Sequence, residues 1–188
     1  MPESEGRATF RPGRWESPTV LVTAASLHGS TARIAEEIAA ELIGWDLSVA
    51  VIPPGQVTSL AGYDAVVVGS AVYAGHWQDD ATGLVRRQMP ALAERPVWLF
   101  SSGPVGTPGG KLARAMAKDP AELAELTAAT RARGHRIFAG KLDPASLTFR
   151  ERLTVQFLLP GMEGDFRDWG AIRRWADAIA RQLTPTRR

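Results

Sequence analysis

The fold of this chain is predicted from Thr19-Val-Leu-Val-Thr-Ala-Ala-Ser-Leu-His-Gly-Ser-Thr31, an apolar run that ends in a loop rich in hydroxyl residues. Its first five residues are β-branched and apolar, which favours a buried strand. An amphipathic helix follows the loop and can end at Gly44. Its apolar face is formed by Ile34, Ala35, Ile38, Ala39 and Leu42. The sequence thus predicts a strand, a polar loop and a helix in direct succession.

Four further strands are predicted downstream, at Leu47–Ile52, Tyr63–Ser70, Val97–Ser101 and Arg136–Leu142. The second of these has a continuous apolar core, which is typical of a central parallel strand that is buried on both faces. Strands that alternate with helices indicate a parallel sheet covered by helices on both sides. We therefore expect an α/β fold, a doubly wound five-stranded parallel sheet in three α/β/α layers.

Three helices are predicted besides the first. One covers Asp79–Leu92, and a second begins at Asp119-Pro-Ala-Glu122, where Asp119 is placed as N-cap, and ends at Gly134. In the last helix Asp168 can act as N-cap, and its apolar stripe is Ile172, Trp175, Ala176, Ile179 and Leu183. The residues 1–17 are expected to form a flexible arm, residues 18–184 the domain and residues 185–188 a tail.

The composition excludes several classes of function. The 188 residues include no cysteine, which removes disulfides, iron–sulfur clusters and thiol nucleophiles. No metal site is expected from the three dispersed histidines. The net charge of +2 is too small to predict nucleic-acid binding, although the sequence pI is about 9.4. Residues 1–18 lack the apolar region of a signal peptide, and a cytoplasmic protein is expected.

The first loop is the strongest candidate for a binding site. Backbone N–H groups at a helix N-terminus attract phosphate, and Gly29 allows a close approach. The loop residues Ser26, Leu27, His28, Gly29, Ser30 and Thr31 are therefore predicted to hold a phosphate. No lysine lies in this loop, so it is not a nucleotide triphosphate loop. The alternative is that Ser30 or Thr31 only caps the helix and that Gly29 only forms a turn.

Two further loops follow the third and fourth predicted strands. The second candidate loop comprises Ser70, Ala71, Val72, Tyr73, Ala74, Gly75, His76 and Trp77. Tyr73 and Trp77 offer faces on which a planar ring can stack, or they simply cover the edge of the sheet. The third loop, with Ser102, Gly103, Pro104, Val105 and Gly106, supplies small residues and free amides. In doubly wound sheets such loops converge beyond the carboxyl ends of the strands.

These segments resemble flavodoxins, and most of all the flavodoxin-like proteins related to bacterial menaquinone-dependent protoporphyrinogen oxidase. The resemblance rests on Ser26–Thr31, Tyr63–His76, Phe100–Pro104, Phe138-Ala-Gly-Lys-Leu142 and Gly164-Asp-Phe-Arg-Asp-Trp169. It implies an FMN cofactor, with its phosphate on the first loop and its ring between the other two. His28 departs from the electron-carrier flavodoxins, where a small hydroxyl residue is more usual.

The resemblance further implies that residues 143–167 are an insertion before the last helix, either packed on the domain or facing a membrane or quinone. The expected function is an FMN-dependent oxidoreductase that passes electrons from a donor to an acceptor such as menaquinone or a porphyrinogen. No protein residue is predicted to act as a general acid. The alternatives are an electron carrier without its own substrate and a degenerate domain that no longer binds FMN. Peripheral membrane contact and a homo-oligomer are left open.

Overall fold

The computed structural model describes residues 17–103, 119–142 and 164–184. The predicted arm, apart from Ser17, the tail and most of the predicted insertion lie outside these ranges. The strands are β1 (Thr19–Ala25), β2 (Ser48–Val51), β3 (Ala65–Tyr73), β4 (His76–Trp77), β5 (Val97–Ser102), β6 (Gly134–Phe138), β7 (Lys141–Leu142) and β8 (Gly164–Asp165). The helices are α1 (Ser30–Ile43), α2 (Asp79–Arg87), α3 (Met89–Ala93), α4 (Leu123–Thr130) and α5 (Trp169–Leu183), with a 3₁₀ turn at Pro54–Gln56.

The main sheet contains five parallel strands in the order β2-β1-β3-β5-β6. Strand β4 adds to the end of β3 in antiparallel orientation, while β7 and β8 form a separate two-stranded ribbon. The predicted doubly wound parallel sheet is confirmed. The winding reverses between β1 and β3, so the crevice beyond their carboxyl ends is where a ligand is expected.

The core is divided by the sheet into two layers, because alternate side chains of each strand point to opposite faces. Val20, Val22 and Phe100 pack with helices α1 and α5 on one face. Leu21, Val68 and Leu99 pack on the other face, with apolar residues of α2 to α4. All six of these strand side chains are fully buried. Burial on both faces explains why these strands are continuous apolar runs.

The structure corrects the bounds of three predicted elements. The helix predicted at Asp79–Leu92 is two helices, because Pro90 lies in the first turn of α3 and cannot continue a preceding helix. Helix α4 begins at Leu123 rather than after Asp119, and it ends in the left-handed Arg131 rather than at Gly134. The strand predicted at Arg136–Leu142 stops at Phe138, since Lys141 and Leu142 pair instead with β8.

Candidate functional site

The loop after β1 ends at an uncapped helix N-terminus. Gly29 is in the left-handed conformation with φ of 79°, and no side chain among the described residues caps the first turn of α1. That turn carries no acidic residue. A Cβ atom at Gly29 would meet no other atom within 4 Å, so open space lies beside the loop. Free N–H groups, a positive dipole end and open space together suit an anion.

The hydroxyl groups of this loop differ in their surroundings. The Oγ atom of Ser26 is buried and has no hydrogen-bond partner among the described residues. The Oγ atom of Ser30 accepts a hydrogen bond from the Lys141 backbone N–H at 3.1 Å, and Thr31 is buried. A buried hydroxyl without a partner is costly, because it loses its hydrogen bonds to water. Ser26 is therefore suited to a ligand that supplies the missing partner.

The loop after β3 is a tight hairpin rather than an open loop. Strand β3 continues to Tyr73, and Tyr73 pairs directly with His76 across the two-residue turn Ala74-Gly75. Both turn residues have positive φ, 50° for Ala74 and 84° for Gly75, as a type I′ hairpin requires. The sequence missed β4 because two residues show no periodicity.

The first two loops meet through His28 and Tyr73. Their ring centroids are 6.3 Å apart in an edge-to-face arrangement. Leu27 and Tyr73 are also among the few large apolar side chains that are exposed in the described part of the chain, at 56% and 42%. Half-exposed apolar groups around one crevice favour a ligand with an apolar face.

Four residues of the second candidate loop are buried or half-buried in the fold. Ser70 and Ala71 are buried and Val72 is half-buried, all within β3. The Ser70 hydroxyl accepts a hydrogen bond from Gln78 N–H and donates to Ala71 O, both at 2.8 Å. Trp77 is only 3% exposed and packs in the core beside α2. Of the two aromatic residues proposed for stacking, only Tyr73 presents an exposed side chain.

The third loop is described only as far as Gly103. A Cβ atom at Gly103 would lie 3.0 Å from Val72 Cβ, so the chain here passes close to β3. Ser102 is buried, and Gly103 N–H donates to Phe138 O at 3.3 Å. Pro104, Val105 and Gly106 lie outside the described residues. The start of the third loop is thus next to the second loop, as predicted.

Glu122 was missed as a residue of the site. Its carboxylate accepts a hydrogen bond from Trp77 N–H at 3.2 Å, and its other oxygen lies 2.6 Å from His76 Nδ1. Burial alone would raise the pKa of Glu122, but the hydrogen bonds from His76 and from backbone N–H groups lower it below its usual value. Because an ionised carboxylate only accepts hydrogen bonds, His76 carries its proton on Nδ1. The sequence indicated only an acid near a helix start.

A second missed group lies below the hairpin. Trp77 Nε1 donates to Ser101 Oγ at 2.8 Å, and Ser101 Oγ lies 2.8 Å from His135 Nε2. Since the indole only donates, the Ser101 hydroxyl accepts from Trp77, and it shares a second hydrogen bond with His135 Nε2. Burial lowers the pKa of His135, although Asp119 acts in the opposite direction. Burial therefore favours the neutral form of His135.

The β7–β8 ribbon lies beside the first loop through the Lys141–Ser30 hydrogen bond described above. Lys141 pairs with Asp165 across the ribbon. The Asp165 carboxylate accepts from Arg167 Nε at 2.8 Å, and Arg167 stacks over the Trp169 ring at 4.3 Å. The hydrogen bond from Arg167 lowers the pKa of Asp165, with a smaller effect from Lys141. These contacts join the start of α5 to the N-terminus of α1.

The residues present fit FMN, the cofactor that the resemblance implies. The uncapped N-terminus of α1 and the buried Ser26 hydroxyl suit the phosphate. The exposed Tyr73 and Leu27 suit a planar ring with apolar faces. A Cβ atom at Gly75 would meet nothing within 4 Å, so the turn leaves room beside it.

Among the described helices, none combines the length and the apolar character that a membrane span requires.

Comparison with solved structures supports the fold. The chain superposes on a flavodoxin from the domain Archaea with a TM-score of 0.57 and 17% identity, covering 88% of this chain and 98% of that one. The C101S mutant of flavodoxin from Pseudomonas aeruginosa gives a TM-score of 0.56 and 16% identity, covering 88% and 98%. At such identities the likeness concerns the fold alone.

A larger redox protein contains a similar unit. Rubredoxin oxygen:oxidoreductase from Desulfovibrio gigas matches with a TM-score of 0.58 and 15% identity over 89% of this chain. This chain covers only 37% of that protein's length. No curated protein matches the sequence significantly. The sequence profile described as "Flavodoxin domain", however, matches residues 21–168, and the chain therefore belongs to that flavodoxin domain family.

Proposed function

We propose that this chain binds FMN beyond the carboxyl ends of β1 and β3 and passes electrons through it. The observation that carries the proposal is the meeting of His28 and Tyr73 beside an uncapped helix N-terminus. A phosphate subsite and an exposed aromatic ring then lie at the same crevice. Bound FMN would supply reversible transfer of two electrons, and the protein would supply binding and orientation.

The chain's own residues divide this work. Ser26, Ser30 and the backbone N–H groups at the start of α1 hold the phosphate, and Gly29 lets the backbone approach it. Tyr73 covers a face of the flavin ring, and the His28 ring meets the Tyr73 ring in an edge-to-face arrangement. Ala74 and Gly75 form the tight turn beside the ring. Ser102 to Gly106 are proposed to bind the polar edge of the flavin ring.

The reaction that we propose is that of an FMN-dependent oxidoreductase. A reduced donor loses two electrons and two protons, and an acceptor of the quinone class gains them and becomes the quinol. The basic sequence pI of about 9.4 supports an enzyme over the commonly acidic electron carriers. A porphyrinogen as donor is proposed from the sequence resemblance only.

An electron carrier without its own substrate is the second candidate. It is favoured by the match to small flavodoxins over 98% of their length. Steady turnover separates the two functions. An enzyme reduces menaquinone catalytically with a porphyrinogen or another reduced donor, whereas a carrier exchanges electrons only with a redox protein.

The first test is a titration of the purified protein with FMN and with riboflavin, followed by flavin fluorescence. Riboflavin lacks the phosphate, so we expect FMN to bind at least about tenfold more tightly, which is about 1.4 kcal/mol. The variant Ser30→Asp places a negative charge at the helix N-terminus. It should weaken FMN binding strongly and riboflavin binding little.

A protein that binds neither flavin would contradict the proposal and favour the degenerate domain. Equal affinities for FMN and riboflavin would contradict the phosphate subsite. The carboxylate of Ser30→Asp can still accept the hydrogen bond from Lys141 N–H, and acids are favourable in the first turn of a helix. Loss of FMN binding in this variant is therefore not expected to arise from unfolding.

A further inference from the structure

One short segment before α4 holds the β3–β4 turn at three points. Ala121 N–H donates to Gly75 O at 3.0 Å. The Glu122 carboxylate accepts from Trp77 N–H at 3.2 Å and binds His76 Nδ1 at 2.6 Å. Three successive residues of the β3–β4 hairpin, Gly75 to Trp77, thus bind Ala121 and Glu122, which lie far away in sequence.

The Glu122 carboxylate is well placed for strong hydrogen bonds. The Glu122 side chain is 18% exposed, whereas His76 is 61% exposed. Hydrogen bonds to an ionised acceptor in a partly buried place are about twice as strong as neutral ones. Glu122 therefore restrains the turn from its buried side and leaves the outer side of the turn open.

The turn needs such a restraint. Strand β4 has two residues, and a hairpin this short has little stability of its own. Ala74 adopts a left-handed conformation, with φ of 50°, that costs about 1 kcal/mol or more for a residue with a Cβ atom. Without outside contacts the turn would populate several conformations, and a ligand would have to order it on binding.

We propose that Glu122 is a positioning residue that holds the Tyr73–Trp77 turn in the one geometry that receives the flavin ring. The inference rests on the proposed FMN site. Glu122 acts through Trp77 N–H and His76 and touches no reacting atom. Its effect falls on the ring and not on the phosphate, because Glu122 binds His76 and Trp77 next to the turn, whereas the proposed phosphate site is at the first turn of α1.

The experiment compares Glu122→Ala, Glu122→Gln and wild type. Glu125→Ala is the matched control, since Glu125 lies in the first turn of α4, close to Glu122 in sequence, and forms an exposed ion pair with Arg86 at 3.6 Å. We measure dissociation constants for FMN and riboflavin, and the midpoint potential of bound FMN. Amide hydrogen exchange at residues 75–77 is followed in the protein without flavin.

In Glu122→Ala we expect FMN and riboflavin to lose affinity by the same factor, about tenfold, which corresponds to about 1.4 kcal/mol. The midpoint potential should shift, and exchange at residues 75–77 should accelerate. Glu122→Gln keeps an oxygen acceptor for Trp77 N–H and should recover most of the affinity. Glu125→Ala should match wild type in every measurement. This differs from Ser30→Asp, which affects FMN alone.

Unchanged affinity, potential and hydrogen exchange in a folded Glu122→Ala protein would overturn the inference. A loss confined to FMN, with riboflavin unaffected, would also overturn it. A wild-type protein that binds no flavin would instead overturn the proposed function. In that case faster hydrogen exchange at residues 75–77 in Glu122→Ala would still show that Glu122 orders the turn, while its role toward FMN would be refuted.

Discussion

Ser101 is the residue whose single hydroxyl satisfies one buried and one half-buried polar group. It accepts from the buried Trp77 Nε1 and hydrogen-bonds with the half-buried His135 Nε2, both at 2.8 Å. In Ser101→Ala the buried indole N–H and the half-buried imidazole nitrogen lose this partner. We expect a loss of about 1–3 kcal/mol in the free energy of unfolding, measured with urea.

A double-mutant cycle with Trp77→Phe separates the hydrogen bond from the loss of packing. Phe cannot donate, so Ser101→Ala should cost less in that background. Equal costs in both backgrounds would show that the Trp77–Ser101 hydrogen bond contributes nothing measurable.

His135 makes stability depend on pH in a defined direction. Burial lowers its folded pKa below the ordinary value of 6.5, against the smaller effect of Asp119. As pH falls below 6.5, the unfolded chain takes up this proton before the folded protein does, so stability decreases. The decrease ends once pH has passed below the folded pKa.

The variant His135→Gln tests this pH dependence, because the glutamine amide can both donate and accept a hydrogen bond with Ser101 and does not titrate. We expect the unfolding free energy to fall less in the variant than in wild type between pH 7.5 and the acid end of that window. All other titrating groups are common to both proteins. Identical pH dependence would mean that His135 has the same pKa in both states.

At the level of single residues, the sequence predicted which residues lie at the crevice better than it predicted which side chains contact each other. Ser26, Gly29 and Tyr73 were singled out because loops after buried strands carry ligand groups, and they lie at the crevice. Trp77 was a candidate either for stacking on a ring or for covering the edge of the sheet, and the β3–β4 hairpin turns it into the core. The partners of Glu122 and Ser101 are separated from them by 45 and 24 positions or more, and no local pattern encodes such pairs.

Helix α5 begins at a cap that the sequence indicated. Asp168 Oδ1 accepts from Ala171 N–H at 2.9 Å. Asp168→Ala should lower the unfolding free energy by about 1 kcal/mol, whereas Asp168→Asn should cost only a few tenths. Chemical denaturation of both variants measures the difference.

The nearby Arg174 contributes little to this effect. Its contact with Asp168 is 4.0 Å long and both side chains are largely exposed. A large loss in Asp168→Asn would therefore show that charge matters more than the cap hydrogen bond.

Elements were predictable where the hydrophobic pattern is long. Strands β1, β3 and β5 are continuous buried runs, and α1 and α5 each carry one apolar stripe. The two-residue strands β4 and β8 were missed because pairing over two residues depends on tertiary contacts, and β7 was predicted only as the end of the preceding strand. The start of α4 was misplaced because the acid expected in its first turn, Glu122, binds the β3–β4 turn instead.

Ligand binding should stabilise the whole molecule. If FMN binds only the folded state, a concentration one hundred times its dissociation constant adds about 2.7 kcal/mol. For a domain of this size we expect a rise in Tm of about 5–10 °C, measured by differential scanning fluorimetry or calorimetry. Riboflavin at the same absolute concentration should raise Tm less. An unchanged Tm would contradict binding to the folded state.

The architecture of the whole molecule followed from the order of its elements. Strands that alternate with helices leave few topologies, because crossovers between parallel strands are right-handed. The position of the crevice then followed from where the winding reverses. The substrate did not follow, because one fold supports many reactions.

The β7–β8 ribbon is the place at which the segment between Leu142 and Gly164 joins the rest of the domain. Leu142 and Gly164 are paired neighbours, so the two ends of the segment 143–163 meet at one place on the domain. Segments of very different length can be exchanged between these two residues without altering the strand order of the main sheet. Because the ribbon also contacts Ser30, each exchange would place a new segment next to the unchanged loop that follows β1.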